Sequence, residues 1–193
     1  MNTSRDQTRQ DLFAAAIEQF LEFGFHNTSH ADIAGAAGIG RTTFYEYFSS
    51  MESLLVELVE ARLPMLSEQL LVSLPLDEPA DIRMAELVVR MVEFVGLDDV
   101  GLLLHTEVPR LSDHSQNRIR LAHHDLADAF VDLYLAGCES GVFRRLPPRF
   151  VGRLINDVIM AAGREVKESP DPKQVVHDYA EAAATFLLAG LQP

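Results

Sequence analysis

Along most of the chain apolar residues recur every three or four positions, and no stretch alternates apolar with polar residues over the length of a strand. That spacing marks one buried face of a helix, so the pattern points to an all-α architecture. Residues 8–23 place Phe13, Ala16, Ile17 and Phe20 on one stripe, with Gly24 where a left-handed C-terminal residue would sit. Ser29-x-x-Asp32 reads as a capping box for a short helix carrying Ile33, Ala34 and Ala37, closed by Gly38. Residues 41–48 form a second short helix with Phe44 and Phe48 inward. A longer one opens at Met51, and Pro64 predicts a kink or break in it, because proline removes a helix hydrogen bond. The remaining segments, 79–95, 98–108, 113–139, 148–166 and 172–191, are mostly longer; the last two start on Pro148 and Pro172, suited to a first turn. The reading is about nine helices in two parts, a helix-turn-helix domain over 1–50 and a larger helical domain over 51–193.

Composition narrows the class. With 193 residues the chain can bury a substantial core, and 48% hydrophobic against 23% charged residues excludes wholesale disorder. Cys138 is the only cysteine, so no intramolecular disulfide is possible, in keeping with a reducing cytoplasm. The polar first ten residues give no signal-peptide pattern, and no apolar run is long enough for a membrane span. A cytoplasmic protein without membrane attachment is expected. The net charge of −13 counts against a nucleic-acid partner, and residues 1–62 hold only Arg5, Arg9, Arg41 and Arg62 against nine acids. Whole-chain charge, however, governs solubility and steering, not what one face can touch.

The two short helices joined by Ala37-Gly38-Ile39-Gly40 have the layout of a helix-turn-helix, with Gly38 for the turn and Ile39 as apolar plug. The second helix then presents Arg41, Thr42, Thr43, Tyr45 and Tyr47 outward on a base of Phe44 and Phe48, the design a groove reader requires. Thr28, Ser29 and His30, at the start of the preceding helix, are placed to meet a phosphate.

Three blocks carry a resemblance. Phe20-x-x-x-Gly24-Phe25-x-x-Thr28-Ser29, Asp32-Ile33-Ala34-x-x-Ala37-Gly38-Ile39 and Thr43-Phe44-Tyr45-x-Tyr47-Phe48 look like the DNA-binding signature of the TetR family, over about residues 9–58. The resemblance implies a transcriptional regulator, usually a repressor. It implies a homodimer through the last two helices, a palindromic operator in double-stranded DNA, and release by a small effector. Met51 stands where the family often has a phosphate-pairing lysine, and Gly40 where it often has a capping serine. With Glu46 on the second helix, these departures predict few phosphate contacts and a shallow salt dependence.

An effector site would draw on the apolar stripes of the middle helices with a few polar groups for orientation. Met91, Phe94, Phe130 and Tyr134 are the apolar candidates, and His105, Thr106, His123, Tyr134 and Asn156 the polar ones, for a hydrophobic small molecule. The alternative reading is a helical metal-binding protein or enzyme using the His105, His123 and His124 region. The adjacent His123-His124 pair points in two directions on a helix, and no nucleophile–base or carboxylate pair stands out. No metal, cofactor or catalytic residue is therefore expected. For the dimer, one stripe runs through Val151, Leu154, Ile155, Val158 and Ile159 and the other through Val176, Tyr179, Ala183, Phe186 and Leu187.

Overall fold

The computed structural model describes residues 3–122 and 124–193, without the side chains of residues 3, 4, 102, 104 and 105. Its regular elements are all helical: α1 (Thr3–Phe23), α2 (His30–Ala36), α3 (Arg41–Tyr47), α4 (Met51–Val72), α5 (Ala80–Leu97), α6 (Asp99–Thr106), α7 (Asp113–Ala122), α8 (His124–Ser140), α9 (Pro148–Glu168) and α10 (Pro172–Leu191). Single 3-10 turns occupy Phe25–Asn27 and Val108–Arg110, and no strand occurs among the described residues. The chain is all-α, with an N-terminal helix-turn-helix domain and a larger helical domain.

Of the kink or break expected at Pro64, the break needs correction. Pro64 does not break α4, which runs on to Val72. Leu63 and Ser67 are buried, and Leu70 and Leu71 pack on the neighbouring core, so burial outweighs the roughly 3 kcal/mol that an internal proline costs. The segment 113–139, expected as one helix, is helical on both sides of residue 123, over Asp113–Ala122 and His124–Ser140.

Two compact units divide the chain: Met1–Arg62 with Thr106–Ala122, and Leu63–His105 with His123–Pro193. In the first, Leu12, Phe13, Ala16 and Phe20 of α1, Ile33 and Ala34 of α2, Phe44 and Phe48, and Leu54, Leu55, Leu58 and Val59 of α4 are all buried. The Phe48 ring lies 5.6 Å from Phe13 and 5.9 Å from Phe44. The segment returning at 106–122 is tied in by polar contacts. Arg118 grips the Glu60 carboxylate with Nε at 2.9 Å and a terminal nitrogen at 2.6 Å, and Ser112 donates to Glu52 from its amide (3.0 Å) and its hydroxyl (2.5 Å).

In the second unit α5 is the central helix, touched by α8, α9 and α10. Its Met84, Leu87, Val88, Met91, Val92 and Val95 meet Phe130 and Leu133 of α8, Ile155, Ile159 and Val166 of α9, and Ala180, Ala184 and Leu187 of α10 in one cluster. Helices α5 and α9 cross at Gly96 and Gly163, where a Cβ on Gly96 would sit 2.6 Å from a Val166 methyl and one on Gly163 would collide with Val95. Tyr134 is buried, and its hydroxyl accepts from the Leu146 amide at 2.6 Å while facing the carbonyls of Leu146 (2.9 Å) and Arg144 (3.1 Å). It pins the link from α8 to α9, and burial pushes its phenol pKa up.

Candidate nucleic-acid interface

The helix-turn-helix is built on α2, its turn and α3. Ser29 caps α2: its hydroxyl accepts from the Asp32 amide at 3.3 Å, while its own amide donates to Asp32 Oδ2 at 2.8 Å. The Ser29 hydroxyl also donates to Asp32 Oδ2 at 2.6 Å, and this bond first, then the one from the Ser29 amide, holds the Asp32 carboxyl below its ordinary value. Gly38 takes φ +69°, a left-handed conformation that glycine adopts without Cβ strain, and the Ile39 amide bonds back to the Ala34 carbonyl at 2.9 Å. Ile39 is half-buried, and Gly40 caps α3 with no side-chain bond.

Within α3, Phe44 is fully buried and Phe48 follows it one turn on, so the helix is anchored from beneath. Arg41, Thr42, Tyr45 and Glu46 are exposed, Thr43 and Tyr47 half-buried. Of the five residues expected to face outward, three are therefore exposed and two partly covered. The half-buried His30 ring packs 5.1 Å from Tyr45 and 5.9 Å from Phe44, supporting Tyr45 from α2. Thr28 differs from its neighbours: it is buried, and its hydroxyl is committed to the carbonyls of Gln19 (3.1 Å) and Gly24 (2.9 Å). Its side chain fastens the link between α1 and α2.

Two residues of α1 acquire roles that the apolar stripe did not signal. Arg9 pairs with Glu57 and lies 5.6 Å from both the Phe13 and Phe48 rings. Arg5 lies 5.6 Å over the ring of Tyr47. Glu57, Phe48 and Tyr47 are dozens of residues away, so no local spacing announces these contacts.

The effector candidates separate. Met91, Phe130 and Tyr134 are buried in the second unit, and Phe94 is half-buried. Thr106 falls in the first unit, and Asn156 is exposed on α9, where it donates to Asp157 at 3.4 Å. His123 lies outside the described residues, as does the side chain of His105. His124 is exposed and 2.8 Å from Asp125. Among the described residues no group of three or more His, Cys, Asp or Glu side chains is arranged to hold a metal ion.

The family model described as "Bacterial regulatory proteins, tetR family" matches residues 12–58, the segment that builds this face. The likeness also runs beyond it: the HTH-type transcriptional regulator YdgC of Bacillus subtilis is 29% identical over 184 residues, covering 86% of this chain and 92% of that protein. Residues 12–58 are thus similar to the DNA-binding segment of the TetR family. Similar solved structures include the regulator FadR from Bacillus subtilis in complex with stearoyl-CoA, at TM-score 0.80 and 17% identity, covering 95% of this chain and 99% of that one. Another is the ketosteroid transcriptional regulator KstR2 of Mycobacterium tuberculosis, at TM-score 0.70 and 23% identity, covering 96% and 95%. The likeness is to DNA-binding transcriptional regulators and not to enzymes. Members of the family bind DNA and small-molecule effectors and act as dimers. No helix among its described residues is long and apolar enough to cross a membrane.

Proposed function

We propose that the protein is a cytoplasmic repressor whose homodimer sets two copies of α3 into successive major grooves of a palindromic operator. The observation that carries this reading is the α3 face, a polar surface of Arg41, Thr42, Thr43, Tyr45 and Tyr47 held rigid by Phe44 and Phe48. Ser29 and His30 flank it on α2, and Thr28 fixes the chain behind them. Residues 1–50 serve DNA binding and residues 51–193 effector binding and dimerisation. A dimer places half-sites one helical turn apart, so operator symmetry follows from protein symmetry.

The proposed dimer face is narrower than the stripes read from sequence. Val151, Ile155, Ile159, Val176, Ala183 and Leu187 are already buried within one chain. Exposed beside them stand Phe150 and Leu154 on α9 and Tyr179 and Phe186 on α10, with the small, exposed Ala161 and Ala182 nearby in sequence. A four-residue step on α9 and a seven-residue step on α10 keep each pair on one side of its helix. A second copy of this chain is the occupant we assign to that face.

The effector is a hydrophobic small molecule held by the second unit, with Met91, Phe94 and Phe130 among its walls. Ser67 supports this reading, being buried on α4 with a hydroxyl that has no hydrogen-bond partner. Such a group costs about 1–3 kcal/mol, which a ligand oxygen would relieve. Effector binding then favours a conformation that no longer fits the operator, a population shift. A gel shift with the duplex flanking the protein's own coding sequence tests the core of the proposal: a specific, competable band supports it, and equal binding to unrelated duplex at all concentrations refutes it.

A further inference from the structure

We propose that Arg5 is a phosphate contact of the DNA complex, held on the recognition surface by the ring of Tyr47. The inference rests on the DNA-binding role assigned to the α3 face.

Arg5 and Arg9 lie four residues apart, on one side of α1. The structure gives them different tasks. Arg9 is paired with Glu57, and its guanidinium also lies against Phe13 and Phe48, so its charge is offset and its plane packs against the core. Arg5 is exposed, has no carboxylate partner among the described residues, and rests 5.6 Å over Tyr47. Tyr47 is the last residue of α3. A cation from a different helix is thereby stationed at the edge of the DNA-facing surface.

Its position favours backbone over bases. If α3 fills the major groove, a side chain resting on the end of α3 from outside meets the groove wall, which is phosphate. The arginine fork pairs with two phosphate oxygens, and stacking on an aromatic ring restricts its rotamers beforehand. Charge makes the contact matter. Residues 1–62 hold four arginines against nine acids. With Arg9 neutralised, and Arg62 about 16 Å along α4 from Met51, Arg5 and Arg41 remain as the cations of this surface.

The test is equilibrium binding of the full-length protein to two duplexes across salt. One duplex is recovered by the wild type from a random pool, and the other is a shuffled version of it. Arg5→Gln is expected to make the slope of log affinity against log salt shallower by about 0.9 for each half-site, equally on both duplexes. Arg5→Lys keeps the slope. Arg5→Gln has its full effect in a Tyr47→Phe background, where the ring remains, and little effect in Tyr47→Leu. Arg9→Gln lowers thermal stability and leaves the slope as it was.

An unchanged slope in Arg5→Gln overturns the inference. So does a loss confined to the recovered duplex, which would make Arg5 a base reader, or a full Arg5→Gln effect in Tyr47→Leu. If the wild type binds neither duplex, the DNA-binding reading falls and takes this contact with it. The wild-type curve alone identifies that case.

Discussion

Tyr134 shows how a residue type acquires its role from the partners the fold supplies. From sequence it is an aromatic with a polar tip on an apolar stripe, suited to touching a ligand. In the fold its hydroxyl is occupied by the Leu146 amide and by carbonyls of the link before α9. Tyr134→Phe removes the acceptor of a part-buried amide, so it should cost about 1–3 kcal/mol in urea unfolding; an unchanged midpoint would show that the link is not held this way. Arg41 presents the opposite case, exposed on the face expected for it. Arg41→Ala should weaken specific binding by about 1–3 kcal/mol and relax base preference, if it reads a guanine. A uniform loss on all duplexes would instead make it a phosphate contact.

At the level of elements, α4 and α7 carry consequences that neither shows alone. Met51 opens α4 where the family often has a lysine, so Met51→Lys should tighten binding to all duplexes and steepen the salt slope by about one unit. If neither affinity nor slope changes, the start of α4 does not approach the phosphates. Further along α4, Glu52 takes two bonds from Ser112 ahead of α7, and the side-chain bonds from Ser112 and Ser115 are the main reasons its carboxyl is held below the ordinary value of 4.5. Asp32 is likewise held below 3.8 by Ser29. Each carboxylate is stabilised in the fold, so its contribution is complete above the ordinary value and disappears as pH falls through the depressed one. Acid unfolding of wild type and Ser112→Ala should therefore converge below that range and differ above it. Curves that stay parallel at every pH would remove Glu52 as the cause.

For the whole molecule the decisive quantity is oligomeric state. Phe186, at 69% exposure on α10, is a large aromatic left in water by a single chain. Phe186→Glu should give a monomer by light scattering at micromolar concentration, with helix content retained and operator affinity lost. A dimer that survives both this change and Leu154→Glu would place the interface elsewhere. Net charge acts at the same scale: −13 repels DNA at long range. Association should thus be slow at low salt for a DNA-binding protein, with little of the usual electrostatic steering.

The helices were legible in the chain because their information is local. Apolar residues three and four apart, Ser29 with Asp32, and Gly38 between two short stripes each act within a turn or two, and α2, its turn and α3 form as those residues dictate. The outward set on α3 follows from the same periodicity once Phe44 and Phe48 are recognised as anchors. What depended on long-range packing could not be read this way. Arg9 meets Glu57 across 48 positions and Arg118 meets Glu60 across 58, so α7 joins the N-terminal unit without any local mark. The continuity of α4 through Pro64 was likewise settled by burial of its neighbours, which outweighs a local penalty. The stripes of α9 and α10 mixed two faces for the same reason. Hydrophobicity says that a residue avoids water, but only the packed bundle says whether its own chain already shields it, as for Ile155 and Leu187, or leaves it exposed, as for Leu154 and Phe186.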